Sequence, residues 1–159
     1  MEIRRAEISD IAGINALLRQ VLEIHHKGRP DLFKGGVKKY TDEELEAILK
    51  DDKRPVFGAF DGDRLLGYAF CVVKEQSSNI LTDIKTLYID DLCVDEKERG
   101  KHIGKSLFDY VTAYAGEIGC YNVTLNVWSC NEAAEKFYRS MGMKPQKTGM
   151  ETILRSREQ

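Results

Sequence analysis

Four cysteines, three prolines, three histidines and a single tryptophan are all that 159 residues hold of these types, and each scarcity excludes something. Cys71, Cys93, Cys120 and Cys130 never stand in C-x-x-C spacing, and the histidines form no ligand cluster. Neither a disulfide framework nor a resident metal is therefore expected. Reduced thiols in buried-looking, strand-like segments predict a cytoplasmic protein. No apolar run approaches the roughly 20 residues needed to cross a bilayer. Glu2, Arg4, Arg5, Glu7 and Asp10 leave no apolar segment for a secretory signal near the start. A net charge of −2 lacks the basic excess that nucleic acid or an anionic membrane would call for. Without repeats, low-complexity tracts or linkers, residues 1–155 read as one domain, followed by a short tail at 156–159.

What is present is regular periodicity broken by strong turn signals. Residues 2–7 alternate and predict a strand. Ile11, Ile14, Leu17, Leu18, Val21 and Leu22 recur at helical spacing behind Ser9 or Asp10 as cap. Residues 25–39 carry Pro30 and three glycines and read as a basic loop. Thr41 and Glu44 form a capping box ahead of Leu45, Ile48 and Leu49. Strands at 56–60 and 65–74 flank Asp61-Gly62-Asp63-Arg64, a hairpin signal. Ile103, Leu107, Val111, Tyr114 and Ile118 mark another helix, ended by Gly119. A strand over 122–128, a helix from Asn131 to about Met141 and strand-like residues 143–154 complete the order β-α-α-β-β-β-α-β-α-β-β. That order predicts a mixed α/β fold with helices on both faces of the sheet.

The organising stretch is 86–106, TLYIDDLCVDEKERGKHIGKS. Leu87, Tyr88, Ile89, Leu92, Cys93 and Val94 form an apolar strand that Asp90 and Asp91 interrupt. A charged turn and the segment Arg99-Gly100-Lys101-His102-Ile103-Gly104-Lys105 lead into the next helix. Strand, glycine loop and helix start in that order make an anion site, because the first amides of a helix lack partners and sit at its positive pole. A nucleotide P-loop, G-x-x-x-x-G-K-[ST], fits only its end, Gly104-Lys105-Ser106; its opening glycine should be where Arg99 stands.

The whole segment resembles the pyrophosphate-binding signature of the GCN5-related N-acetyltransferase (GNAT) superfamily, [QR]-x-x-G-x-[GA], with His102 where the family usually has its first glycine. A second landmark, Asn131-Glu132-Ala133-Ala134-Glu135-Lys136-Phe137-Tyr138 and then Met141-Gly142-Met143, looks like the family's N-x-x-A-x-x-[FL]-Y…G-[FM] segment. The resemblance covers nearly the whole chain. It implies a central mixed, mostly antiparallel sheet of six to seven strands, acetyl-CoA as co-substrate, an amine acceptor and a homodimer as a reasonable expectation.

Residue by residue, the resemblance implies that Arg99, Gly100, Lys101, His102, Ile103, Gly104 and Lys105 hold the pyrophosphate of acetyl-CoA. Backbone groups of Leu92, Cys93 and Val94 would pair with pantetheine, one N–H polarising the thioester carbonyl. Asn131 would cap its helix and meet the pantetheine arm, and Tyr138 would protonate the departing thiolate. An alkyl amine is mostly protonated at neutral pH, at a cost of roughly 4–5 kcal/mol to free it, so a carboxylate base is needed. Asp90 is the first candidate and Asp91 the second, since strand alternation points them opposite ways unless a bulge intervenes; Glu75 is a third. Cys93 is a poor acyl carrier, because burial raises a thiol's pKa and no histidine lies nearby in sequence. The expected activity is acetyl transfer to a primary amine of a small molecule or peptide by direct attack. The rival readings are a non-catalytic acyl-CoA-binding module and, behind it, a P-loop nucleotide-binding protein.

Overall fold

The protein is described here from a computed structural model over residues 1–155. Five strands make one sheet in sequence order, β1 (Glu2–Arg5), β2 (Val56–Asp61), β3 (Arg64–Gln76), β4 (Ile84–Val94) and β5 (Asn122–Leu125). Neighbours from β1 to β4 run antiparallel, while β4 and β5 run parallel. Helices α1 (Ile11–Gly28) and α2 (Asp42–Leu49) lie between β1 and β2. Helix α3 (Ile103–Glu117) crosses from β4 to β5, and α4 (Glu132–Ser140) follows β5.

Each helix is fixed by its apolar stripe. Ile14, Leu17 and Leu18 of α1 join Leu45 and Ile48 of α2 against Val56, Phe60, Tyr68, Phe70 and Cys93 on one sheet face. Phe108, Val111 and Ala115 of α3 pack with Phe57, Ala69, Cys71, Leu87 and Ile89 on the other, where Phe137 and Tyr138 of α4 and Met141 just after it complete the layer. The two-sided core agrees with the expected helices on both faces. The Thr41 box closes as expected: its hydroxyl accepts from the Glu44 amide at 3.1 Å, and the Thr41 amide donates back to the Glu44 carboxylate at 3.5 Å. Asp10 does not cap α1. Its carboxylate accepts from the Glu7 amide and pairs with Arg4 at 2.9 Å, fastening β1 to the helix start.

Two expectations need correction. The sheet has five strands among the described residues, not six to seven, and the strand-like residues 143–154 form no strand. Pro145 has no N–H for a ladder and Gly149 packs no side chain, and both work against a strand there. Helix α1 also continues through His25 and His26, which had been read as loop, and ends only where Pro30 bars further turns. The tail at 156–159 lies outside the described residues.

Candidate active site

The site is built by two irregularities of β4. Its pairing with β3 runs the full length, from Ile84 opposite Gln76 to Val94 opposite Gly67. Its pairing with β5 stops at Ile89 opposite Leu125. From Asp90 to Val94, the stretch that holds Leu92, Cys93 and Val94, the second edge of β4 is therefore without a strand partner among the described residues. The other irregularity is a bulge: Phe70 faces Asp91 and Cys71 faces Ile89, leaving Asp90 as the extra residue. The alternation resets there. Leu87 and Ile89 point to the α3 face, whereas Cys93 joins the α1/α2 core and Asp91 shares its side. The bulge thus turns both aspartates toward α1 and α2, which simple alternation does not predict.

Asp91 is a carboxylate under strain of burial. The Tyr68 hydroxyl, fully buried, donates to its Oδ2 at 2.6 Å. Burial raises the Asp91 pKa; the Tyr68 bond and the charges of Lys39 and His25 oppose that, Asp90 adds to it, and the net position lies above the usual carboxylate range. Asp90 is more open and meets the Lys39 ammonium at 3.5 Å. Burial works to lower the Lys39 pKa, but Asp91, Tyr40 and Asp90 outweigh it and keep the amine charged. His25 is held below its ordinary pKa by burial, with Lys39 adding to the effect against Asp91. An aromatic wall continues from it: the Phe33 ring lies 4.9 Å from His25 and 5.4 Å from Trp128. Tyr40 stacks on Phe70 at 6.1 Å.

Sequence reasoning missed Tyr68, His25 and Trp128 and counted Lys39 only as loop charge. Tyr68 had a signal: a carboxyl inside an apolar strand needs a donor, and the cross-strand neighbours of Asp91 are the place to look for it. His25 sat one turn beyond the last apolar repeat of α1, where nothing marked it. Glu75 is removed as a base candidate. It is exposed, pairs opposite Lys85, and stands five residues along β3 from Phe70, or about 16 Å from the bulge.

The loop after β4 ends in a left-handed residue. Arg99 is exposed and extended, Gly100 has φ 81°, and His102 has φ 63° and ψ 19° immediately before α3. The glycine-like conformation survives although the glycine does not, and His102 is not in the right-handed region that a side chain would prefer. The His102 side chain makes no capping bond at the α3 amino terminus, which leaves the first amides of the helix without that partner. Lys101 reaches back to Glu98 at 2.5 Å and Lys105 to Asp109 at 2.5 Å. Arg64 also bonds to Glu98, which pins the loop from behind. Gly104 admits the Phe137 ring of α4: a Cβ there would lie 3.2 Å from the ring. Asn131 caps α4 by accepting from the Ala134 amide at 3.2 Å.

Tyr138 is half-buried beside Phe108 and Phe137, and it lies within electrostatic reach of Asp91 and Cys93. Burial first, then those two groups, raises its phenol far above the ordinary value. The Cys93 thiol, buried with its Sγ near the Leu17 carbonyl, is pushed up to about 12 by burial and by Asp91. It is a core residue with the wrong pKa for an acyl carrier. All four cysteines are unbridged. Among the described residues no group of three His, Cys, Asp or Glu side chains could hold a metal ion, and no helix is long and apolar enough to cross a membrane.

The site thus combines a stretch of β4 left unpaired on its β5 side beyond Ile89, a helix amino terminus suited to an anion and a pair of carboxylates at a bulge. Comparison with known proteins makes the class specific. The model of the acetyltransferase (GNAT) family matches residues 18–143. A mutant of the BH1408 protein from Bacillus halodurans superposes with a TM-score of 0.93 at 31% identity, covering 97% of this chain and 99% of that one. Glucosamine 6-phosphate N-acetyltransferase of Arabidopsis thaliana is 27% identical over 117 residues, 65% of this chain and 70% of its own length. The fold is also that of aminoglycoside N-acetyltransferase AAC(6')-Iy in complex with CoA, at 15% identity and a TM-score of 0.71 over 98% of this chain and 100% of that one. The chain belongs to the acetyltransferase (GNAT) family. It is an N-acetyltransferase that uses acetyl-CoA.

Proposed function

We propose that the chain acetylates a primary amine of a small molecule or peptide by direct attack on acetyl-CoA, with Asp91 as the group that takes the amine's proton and Asp90 beside it. The observation that carries this reading is the bulge at Asp90, which turns both carboxylates to one side at the mouth of the β4/β5 cleft. A base of raised pKa is better matched to its task at neutral pH than an ordinary carboxylate. Asp91 has that property, and Asp90, partly neutralised by Lys39, helps to hold the acceptor ammonium before it is deprotonated.

Acetyl-CoA enters the cleft, its pantetheine pairing with backbone groups of Leu92, Cys93 and Val94. One amide of that edge donates to the thioester oxygen as negative charge develops on it. The pyrophosphate is held by amides of Gly100 to Lys105 at the positive pole of α3, and His102 in its left-handed conformation keeps the turn that a glycine would make. Arg99 supplies charge at the loop; Lys101 and Lys105 contribute mainly to the loop's shape, because Glu98 and Asp109 already hold them. Asn131 both caps α4 and meets the pantetheine. Tyr138 donates to the CoA sulfur as the C–S bond breaks. Burial holds the Tyr138 phenol protonated at neutral pH, so it is present as a donor when the thiolate forms. A single domain over 1–155, a cytoplasmic setting and a homodimer belong to the same reading, with the unbridged cysteines in support of the second.

The test is an amine-acceptor screen that reports free CoA, with thermal shift in parallel. Acetyl-CoA should raise the melting midpoint increasingly above its Kd, while Mg-ATP should not. Stabilisation by Mg-ATP would return the P-loop reading, and acetyl-CoA binding without CoA release across a broad amine panel would return the non-catalytic module.

A further inference from the structure

The charges on the acceptor side of the site do not balance by themselves. The bulge turns two carboxylates, Asp90 and Asp91, to one side. One resident cation faces them: the Lys39 ammonium lies 3.5 Å from Asp90 Oδ2 and acts on Asp91 as well. His25 also acts on Asp91, but burial holds its imidazole below the ordinary pKa, so it is neutral at neutral pH. Burial likewise keeps the Tyr68 and Tyr138 phenols neutral. Arg54 lines a small cavity with Asp90, Tyr40 and Phe70, yet its guanidinium is bound to Asp51 at 2.8 Å. With Asp91 ionised as the base, one further ammonium completes the balance.

Lys39 is held in place by its neighbours. Its ammonium lies 5.2 Å from the centre of the Tyr40 ring, Tyr40 stacks on Phe70, and Phe70 stands opposite Asp91. The rest of segment 25–39 has little charge to offer an anion. Lys27 pairs with Glu23, Arg29 with Asp31 and Glu151, and Lys38 with Asp42. Lys34 is exposed. An anionic group on the acceptor would therefore meet two carboxylates and cations already held. Beside the charges runs the row of rings His25, Phe33 and Trp128, and the indole at its end is 42% exposed. Such a row suits the face of a planar apolar group.

We infer that the acceptor is a monoamine, with its one ammonium set against Asp90 and Asp91, a planar apolar body along His25, Phe33 and Trp128, and no anionic group. Lys39 sets the limit of one charge, because its ammonium takes the place that a second positive group on the acceptor would need. As a statement about turnover this rests on the acetyltransferase reading; as a statement about binding it does not.

Propylamine and 1,3-diaminopropane differ by one ammonium, and phenethylamine and phenylalanine by one carboxylate. Binding of each to the CoA-saturated protein is followed by amide NMR shifts, with CoA release from acetyl-CoA measured beside it. The wild type should bind propylamine roughly fivefold or more tighter than the diamine, the scale of one unscreened like-charge contact. Phenethylamine should bind tighter than propylamine, and phenylalanine more weakly than phenethylamine. Lys39→Met keeps an unbranched stem against Tyr40 and should reverse the order of propylamine and the diamine. It should also move the acidic limb of kcat/KM to higher pH, since Lys39 favours the ionised Asp91. Lys39→Arg restores the charge and should restore both. Trp128→Ala should weaken phenethylamine and leave propylamine unchanged. A Lys39 that only braces its loop would shift the melting midpoint in Lys39→Met and leave the monoamine-to-diamine ratio as it was, which overturns the inference. So does a wild type that binds the diamine as tightly as propylamine, or phenylalanine as tightly as phenethylamine. The expected order of binding without any CoA release sinks the acetyltransferase reading alone, and CoA release with the diamine preferred sinks this inference alone.

Discussion

Tyr68→Phe isolates the one hydrogen bond that reaches the proposed base from the core. The ring is fully buried between Phe70, at 4.9 Å in edge contact, and the α1/α2 core, so phenylalanine keeps the packing. What disappears is an O–H that donates at 2.6 Å to Asp91 Oδ2. A hydrogen bond to a charged group contributes about 1.5–3 kcal/mol. In a domain of this size that loss lowers the melting midpoint by roughly 3–12 °C at neutral pH. The sign for catalysis follows from the same bond. Tyr68 favours the ionised carboxylate, so removing it lifts the Asp91 pKa further. The acidic limb of kcat/KM should move to higher pH, while the alkaline plateau and acetyl-CoA affinity change little.

The assay is a pH profile of CoA release at saturating acetyl-CoA and limiting acceptor, with thermal melts on the same protein. The stability deficit should shrink as the pH falls and Asp91 becomes protonated in both proteins, since a neutral carboxyl needs the phenol less. An acidic limb that stays in place in Tyr68→Phe, under conditions where chemistry limits turnover, would refute Asp91 as the titrating base. The same result with the limb moved by Asp90→Asn instead would transfer the role to the bulge residue itself.

Asp91→Asn should abolish the acidic limb and lower kcat/KM by roughly 10²-fold or more, the scale of a positioned base. Its stability should move the other way. The native pKa of Asp91 lies above the unfolded one, so the wild type loses stability as the pH rises through that interval, and Asn escapes the loss. Melts of both proteins from below pH 4 to pH 7 should show the variant gaining on the wild type with rising pH. His102→Val, which forces a β-branched residue to φ 63°, should cost about 1–2 kcal/mol with no packing lost from an exposed site, whereas His102→Gly should not destabilise; chemical denaturation checks both. Tyr138→Phe should lower kcat by roughly 10²-fold with acetyl-CoA affinity retained, and the defect should shrink with an acyl donor whose thiol leaves readily as the thiolate.

Much of the site was legible because its residues break local rules. Two carboxylates inside an apolar strand, a glycine loop before a helix and an asparagine heading another helix each stand out without any knowledge of the fold. What could not be read was pairing. The bulge exists only as a mismatch of register between β3 and β4, and no property of Asp90 or Asp91 alone announces it. For the same reason Tyr68 was invisible as a partner of Asp91, though the two lie 23 positions apart on adjacent strands. His25 was hidden by a different cause. Helix α1 runs one turn past its apolar stripe into Glu23-Ile24-His25-His26, where the α-helix persists on its own hydrogen bonds until Pro30.

The misread strand at 143–154 follows the same logic with the opposite sign. Its strand-like composition is a property of the residues, but a strand is a property of two edges, and composition cannot say whether a partner is within reach. Met150, Ile153 and Leu154 have the side chains of a covered strand and the exposure of an uncovered one. Local preference and observed environment disagree over these residues, while they agree over β2, β3 and β4. The disagreement is confined to one segment of a chain whose other elements are consistent, so it is local to that segment and does not reach the core. The core is intact: Tyr68, Leu87, Leu107 and Val111 are all at 0% exposure. The exposed apolar side chains of 150–154 therefore mark a local preference that no neighbour among the described residues satisfies.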